Sequence, residues 1–222
     1  MNGYDLGSAR LARSFFCGCV CYQGRGSSRA GPSKKYVSMK KEFGGEMAKP
    51  KNGQMEIRAV PGQLFDPARF RDAMSRVAAA VHIVTTNGPA GLAGITATSV
   101  ASITDEPPMM LFCINKTSPS AARMIENSVF CINTLAPSHE ALADIFAGRT
   151  GHYLDERFAG GEWTKLVTGA PVLRGAAAAI DCRLVEAMSV MTHFVMIGAV
   201  EAVNFGPEGG SLSYARRKYG IV

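Results

Sequence analysis

From residue 65 onward the apolar positions of this chain switch between a period near two and a helical period. Phe70, Met74 and Val77 share one helical face, with Asp66 as N-cap and Pro67 at the first helical position, so a helix is predicted there. Val81–Thr86 is β-branched and reads as a strand, followed by a turn at Asn87–Gly91. Gly94–Ile103 alternates apolar with small polar residues and reads as one strand. The run Asp105-Glu106-Pro107-Pro108 interrupts the pattern as a loop, because prolines do not fit a central strand. Strands are predicted at Met109–Asn115 and Phe130–Leu135, and short helices at Ser118–Glu126 and Ser138–Phe146. Residues 148–167 are irregular, with a helical turn at Asp155–Phe158. Ala176–Ala187 is alanine-rich, yet Ile180, Cys182 and Leu184 alternate with Asp181, Arg183 and Val185, which favours a strand. Phe194–Val203 is the last clear strand before a turn at Gly206–Gly210 and a tail, Leu212–Tyr219, carrying Arg216-Arg217-Lys218.

At least six short strands, with helices that do not alternate regularly with them, predict a mostly β, antiparallel barrel with peripheral short helices. A doubly wound α/β fold fits less well, and no G-x-G-x-x-G follows the first strand. A P-loop, a G-x-S-x-G elbow and an H-E-x-x-H pair are also absent from the sequence.

Composition and charge refine this picture at the N-terminus. The chain has 222 residues, 47% of them hydrophobic, enough for one domain and an appendage. The net charge of +6 is unevenly placed: residues 1–60 hold 11 Lys/Arg against 4 Asp/Glu, and the remainder is close to neutral. A near-neutral body argues against nucleic acid as partner. Residues 23–56 mix Gly, Ser, Lys and Pro with few apolar anchors, so residues 1–60 are expected to be a poorly ordered basic extension and 61–222 the folded domain. Residues 1–55 are expected to be dispensable, with Met39, Met47 and Met55 as alternative starts. Cys17, Cys19 and Cys21 lack the second half of a metal site, so no metal is expected. Cys113, Cys131 and Cys182 sit singly in apolar runs and read as thiols of a reducing compartment, so the cytoplasm is expected. No apolar run is long enough to suggest a membrane span.

Several motifs carry a resemblance when taken in order. They are Phe70-Arg71-Asp72-Ala73-Met74, Ala79–Thr86, Gly94–Thr104, Pro107-Pro108, Cys113-Ile114-Asn115 and Cys131–Leu135. Phe146-Ala147-Gly148, Glu156-Arg157-Phe158, Pro171-Val172-Leu173 and Thr192-His193 complete the set. Over residues 65–203 the chain resembles the short-chain flavin reductase family. Two subgroups stand nearest: the FMN reductase of the pyrimidine-utilisation pathway and the reductase component of 4-hydroxyphenylacetate 3-monooxygenase. The resemblance implies an FMN-binding split β-barrel with Greek-key-like antiparallel strands, and a homodimer. It implies NADH as donor, FMN (or FAD) as acceptor, and transient transfer of reduced flavin to a partner monooxygenase. The alternatives are service to an aromatic-hydroxylating oxygenase and a non-catalytic flavin- or haem-binding barrel.

A flavin brings its own redox chemistry, so the lack of a catalytic carboxylate pair is compatible with an enzyme. Thr96-Ala97-Thr98-Ser99 offers hydroxyls and backbone groups suited to a flavin ring, although Thr and Ser also follow β propensity. If the strand is regular, Ser102 faces the same side as Thr96 and Thr98, and the resemblance implies that this segment lines the flavin. Asn115-Lys116-Thr117-Ser118 opens a helix whose free amides attract phosphate, with Lys116 and Ser118 adding to it. The resemblance implies that His193 lies on the nicotinamide side, orienting the rings, with Met191 where the family often has glycine. Arg157 and Phe158 could add a charge and a ring to a dinucleotide pocket, as could Arg216 and Tyr219. His82, between Val81 and Ile83, reads as structural or interfacial.

Overall fold

The computed structural model describes residues 65–222. The expected N-terminal extension, with Cys17, Cys19 and Cys21, lies outside the described residues. Helix α1 spans Pro67–Ser75 and opens as predicted, with Asp66 Oδ1 accepting from Ala68 N at 2.9 Å. Strands β1 (Ala79–Ala80) and β2 (His82–Thr86) follow, then β3 (Ala93–Ala97), β4 (Val100–Asp105) and β5 (Pro108–Asn115). Helix α2 (Pro119–Asn127) precedes β6 (Val129–Thr134), and α3 (Glu140–Phe146) follows a 3-10 turn at Pro137–His139. A second 3-10 segment, Leu154–Gly160, leads to β7 (Trp163–Lys165) and β8 (Pro171–Leu173). The long strands β9 (Ala178–Val190) and β10 (His193–Phe205) precede the terminal pair β11 (Leu212–Ala215) and β12 (Lys218–Ile221).

Seven strands form one antiparallel sheet in the order β3-β2-β6-β9-β10-β5-β4. Its two edge strands, β3 and β4, are neighbours in sequence, joined only by Thr98 and Ser99. Laid flat, seven strands would hold their edges about 29 Å apart. The link from Ala97 to Val100 reaches roughly 11 Å at most. The sheet must therefore curl until its edges approach. No ladder joins β3 to β4 among the described residues, so the barrel is split along that seam.

The barrel interior is filled by Val84, Ile95, Phe112, Ile114, Phe130, Ile132 and Met196. Phe112 and Phe130 meet edge to face at 5.0 Å. The Phe130 ring lies so close to Gly198 that a Cβ there would meet it at 2.3 Å, which is why β10 carries glycine beside its bulge. A second cluster covers the outer face of β2, with Ile83, Leu142, Phe146, Phe158 and Leu212.

Four expectations change. Gly94–Ile103 is two strands, because the bend at Thr98 ends one edge of the sheet and starts the other. The loop at Asp105–Pro108 is only a tight turn at Glu106-Pro107, since β4 is an edge strand and Pro108 opens β5. The tail Leu212–Tyr219 is a hairpin turning at Arg216-Arg217, both with positive φ. Helix α1 ends at Ser75, so Val77 lies beyond it, and Phe70, Met74 and Val77 are all exposed. Ala178–Val190 is a strand, as the alternation favoured.

His82 is half-buried, its Nδ1 3.1 Å from Thr134 Oγ1, and burial lowers its pKa from 6.5 to about 4. The folded state therefore binds fewer protons than the unfolded chain, and stability falls as pH drops from about 6.5 towards 4. Between pH 7 and pH 5 this one group should remove about 2 kcal/mol. Urea midpoints at the two pH values should fall further apart in the native protein than in a His82→Gln variant. Equal separations would show that His82 does not govern acid sensitivity.

Candidate functional site

The ends of three adjacent strands meet at one edge of the barrel. Strand β5 ends at Asn115, which lies opposite His193 at the start of β10. His193 in turn lies opposite Val190 at the end of β9, across a two-residue turn, Met191-Thr192. The closure link arrives at the same place, with Cys113 N donating to Ser99 O at 3.2 Å. Sequence-distant segments around residues 98–99, 115–118 and 190–193 are thus juxtaposed.

Buried polar atoms in folded proteins are nearly always paired. Among the described residues two side-chain atoms are buried without a partner: Ser99 Oγ and His193 Nε2. Both belong to this strand-end cluster. The other imidazole nitrogen, His193 Nδ1, is 2.8 Å from Thr192 Oγ1, which leaves Nε2 as the atom available to a ligand. Burial first, and then the charge of Lys116, lower the His193 pKa, so the neutral ring prevails at pH 7.

Beside them α2 begins. Its cap Ser118 is buried and accepts from Ser120 N at 3.4 Å. Asn115 Oδ1 accepts from Thr117 N and Thr117 Oγ1, both at 2.9 Å, which fixes the loop into the helix. Lys116 points the other way: its Nζ donates to Ser189 Oγ at 2.7 Å and Met191 O at 2.6 Å. The expected flavin- or phosphate-binding group Ser99, Asn115, Lys116, Ser118 and His193 is therefore brought together, with Thr98 in the adjoining bend.

The remaining candidates are placed differently. Thr96 is buried and its hydroxyl donates to Ala143 O at 2.6 Å, binding β3 to α3. Ala97 packs in the barrel core. The expected common face of Thr96, Thr98 and Ser102 does not form, because the bend at Thr98 and a bulge after Ser102 break the alternation; Ser102 is exposed on the edge strand. The buried Arg157 guanidinium donates to His152 O, Gly94 O and Phe146 O at 3.1–3.2 Å. Phe158 meets Phe146 edge to face and lies tilted against Trp163. Both are thus committed to packing between β3, α3 and the 3-10 segment. Tyr219 OH donates to Asp144 Oδ1 at 2.8 Å, and Arg217 pairs with Asp72.

The sequence held no direct signal for the part played by Ser189 and Met191. Their contact with Lys116 depends on the hairpin register, which only the paired strands reveal. Two open grooves, of about 420 and 300 Å³, share Leu173 and Arg174 and contain none of the strand-end residues. They lack unpaired buried donors, so the strand-end cluster is the better candidate. Among the described residues no group of three His, Cys, Asp or Glu side chains is placed to hold a metal ion, and no helix is long and apolar enough to cross a membrane.

Residues 74–222 match the flavin reductase like domain family. The chain is 46% identical over 166 residues to the FMN reductase (NADH) RutF 1 of Methylorubrum extorquens, covering 75% of this chain and 80% of that protein. It is 48% identical over 152 residues to the FMN reductase (NADH) RutF of Variovorax paradoxus, covering 68% and 83%. Among solved structures it is similar to BorF, the flavin reductase component of a bacterial two-component tryptophan halogenase. There the TM-score is 0.66 at 25% identity, over 71% of this chain and 98% of that one. A nitrilotriacetate monooxygenase component B homolog from Mycobacterium thermoresistibile gives a TM-score of 0.65 at 28% identity, over 71% and 87%.

Proposed function

The chain belongs to the flavin reductase like domain family, and from that premise we propose that it reduces free FMN with NADH and releases FMNH2 to a flavin-dependent monooxygenase. The single structural observation that supports this reading is the pair of unpartnered buried atoms, Ser99 Oγ and His193 Nε2, at one strand-end cluster. A pyrimidine-catabolic oxygenase as recipient is consistent with the similarity to reductases named RutF.

The residues fit a flavin. Bound FMN supplies the hydride acceptor, so the chain needs to bind and orient rather than provide a nucleophile. Ser99 and the backbone at 98–99 offer hydrogen bonds to a flat polar ring edge. The N-terminus of α2, capped by Ser118, offers the positive end of a helix dipole to a phosphate; Pro119 has no N–H, and Ser120 N and Ala121 N already bond to Ser118 Oγ and Ser118 O. Neutral His193 offers one nitrogen to nicotinamide or flavin and aligns the two rings by that contact. Cys131 and Cys182 are buried thiols, and burial raises the Cys182 pKa to about 12; unreactive thiols of this kind suit the reducing cytoplasm.

The working unit is a homodimer. Phe70 and Met74 of α1, Val77 just beyond it and Ile103 of the edge strand β4 are exposed apolar side chains, and an uncovered edge strand invites pairing. Light scattering at micromolar concentration should give twice the chain mass. A monomer that still turns over would remove the dimer from the account.

The functional reading is tested by steady-state NADH and NADPH oxidation with FMN, FAD and riboflavin in turn. NADH consumption should depend on added flavin, with FMN the preferred acceptor. Oxidation that ignores added FMN would overturn the assignment.

The two unpartnered atoms give a sharper expectation. A buried unpaired hydroxyl costs about 1–3 kcal/mol. Ser99→Ala should therefore raise the melting temperature of the flavin-free protein while weakening FMN binding. His193→Ala should lower single-turnover FMN reduction at saturating NADH by roughly 5- to 150-fold. A Ser99→Ala variant that loses stability and keeps its flavin affinity would place that hydroxyl in the packing instead.

A further inference from the structure

We propose that Lys116 is a positioning residue, which clamps the β9–β10 turn and thereby fixes where His193 presents Nε2; this rests on the flavin reductase reading. Three hydrogen bonds run from this one residue to the hairpin. Its backbone N donates to Thr192 O at 3.0 Å. Its Nζ donates to Met191 O at 2.6 Å and to Ser189 Oγ at 2.7 Å. Both carbonyls of the two-residue turn are thus held by one side chain and its own backbone. The ammonium also lies 5.4 Å from the centre of the Phe194 ring, so the hairpin is gripped on both sides of His193.

The turn needs holding. Met191 has φ +45°, a left-handed conformation unfavourable to a residue with a side chain, and it is 78% exposed, so packing does not stabilise it. Strained backbone of this kind persists only where its surroundings over-determine it. Here the surroundings are the Val190–His193 pair that closes the hairpin and the bonds from Lys116. Because β5 is paired with β10 from Asn115–His193 to Met109–Ala199, the lysine anchors the turn to an unbroken ladder of the barrel. His193 follows the turn directly, so its ring inherits that anchoring.

The clamp also sets the charge beside the imidazole. On the β5 side His193 faces Asn115 and Lys116, and on the β9 side it faces Val190; the nearest acid along β9, Glu186, is opposite Ile197, four residues further on. The lysine charge opposes protonation of His193, in the same direction as burial.

A competing role for Lys116 is a flavin phosphate ligand, and two flavins separate the two. Riboflavin has the ring and ribityl chain of FMN but no phosphate. In Lys116→Met, single-turnover reduction should fall by about 10- to 100-fold with FMN and by the same factor with riboflavin, because the misplaced group is His193. A loss confined to FMN, expressed in its KM, would make Lys116 a phosphate ligand and overturn the proposal, as would unchanged rates with both flavins. Ser189→Ala removes one anchor and keeps the charge. It should give a smaller loss, again equal for the two flavins, and it carries the test if Lys116→Met does not fold.

An independent readout needs no flavin. The chain has four histidines, and the His193 ring proton can be assigned by its absence in His193→Gln. In the flavin-free protein its NMR titration midpoint should move upward, towards 6.5, in Lys116→Met, while that of His82 stays in place. An unmoved His193 midpoint would show that the ammonium does not govern this ring. If the native protein reduces neither flavin, the functional reading fails by itself, and the titration still decides whether the Lys116 ammonium is held beside His193.

Discussion

The link of two residues between β3 and β4 is the constraint on which the rest of the structure depends. It forces the first and last strands of a seven-stranded sheet together, which creates an interior for Phe112, Phe130, Ile132 and Met196 to fill. The same link cannot continue either ladder, so its backbone bends and part of its polar surface is left without a strand partner. Ser99 O finds Cys113 N, while Ser99 Oγ finds nothing. Barrel closure and an unsatisfied hydroxyl at a strand end have one cause. A longer loop between β3 and β4 would relax the closure and release the hydroxyl to solvent.

Elsewhere the buried polar side chains are staples between elements. Asn133 donates to Ile83 O at 3.1 Å and accepts from Leu173 N at 2.8 Å, binding β8 to the barrel. Asn127 holds the β2–β3 turn through Gly91 O and Ala90 N. Asp181 accepts from Thr168 N at 2.8 Å and Thr168 Oγ1 at 2.5 Å, which ties down the loop before β8. Arg157 does the same for β3 and α3. Each of these groups is satisfied by a backbone partner distant in sequence. Against that background, two unsatisfied atoms in one cluster stand out as a place the fold has left incomplete.

The strands were legible wherever apolar residues alternated, and α2 wherever Ser118-Pro119 announced a cap and a first turn. The β9 segment was legible despite its alanines, because its alternation outweighed a weak helical preference. What could not be read was the division of Gly94–Ile103, since a strand that continues and a strand that crosses to the far edge have the same local pattern. For that reason Ser102 was grouped with Thr96, and the grouping failed with the alternation. Residue chemistry was a poor guide to Arg157 and Phe158: a guanidinium and a ring suit a dinucleotide, and they suit buried carbonyls and an aromatic cluster equally well. Ser99 and His193 were found through motif order, but only the fold shows that they share one end of the sheet.

The titratable groups of the cluster suit the chemistry proposed for it. A flavin and a nicotinamide exchange a hydride without a protein acid or base, so charge at the contact surface would add solvation cost without helping the transfer. An imidazole kept neutral by burial and by a nearby cation avoids that cost and still offers a hydrogen bond. The cation itself is held back from the contact by Ser189 Oγ and Met191 O, where it acts on the ring through space and on the turn through its bonds. Had Met191 been glycine, the turn would adopt its left-handed backbone without such restraint, and the lysine would be freer to turn towards a phosphate. The methionine at this position and the inward fold of the lysine are therefore coupled choices: the side chain that strains the turn is tolerated because a neighbouring strand end supplies the bonds that hold it.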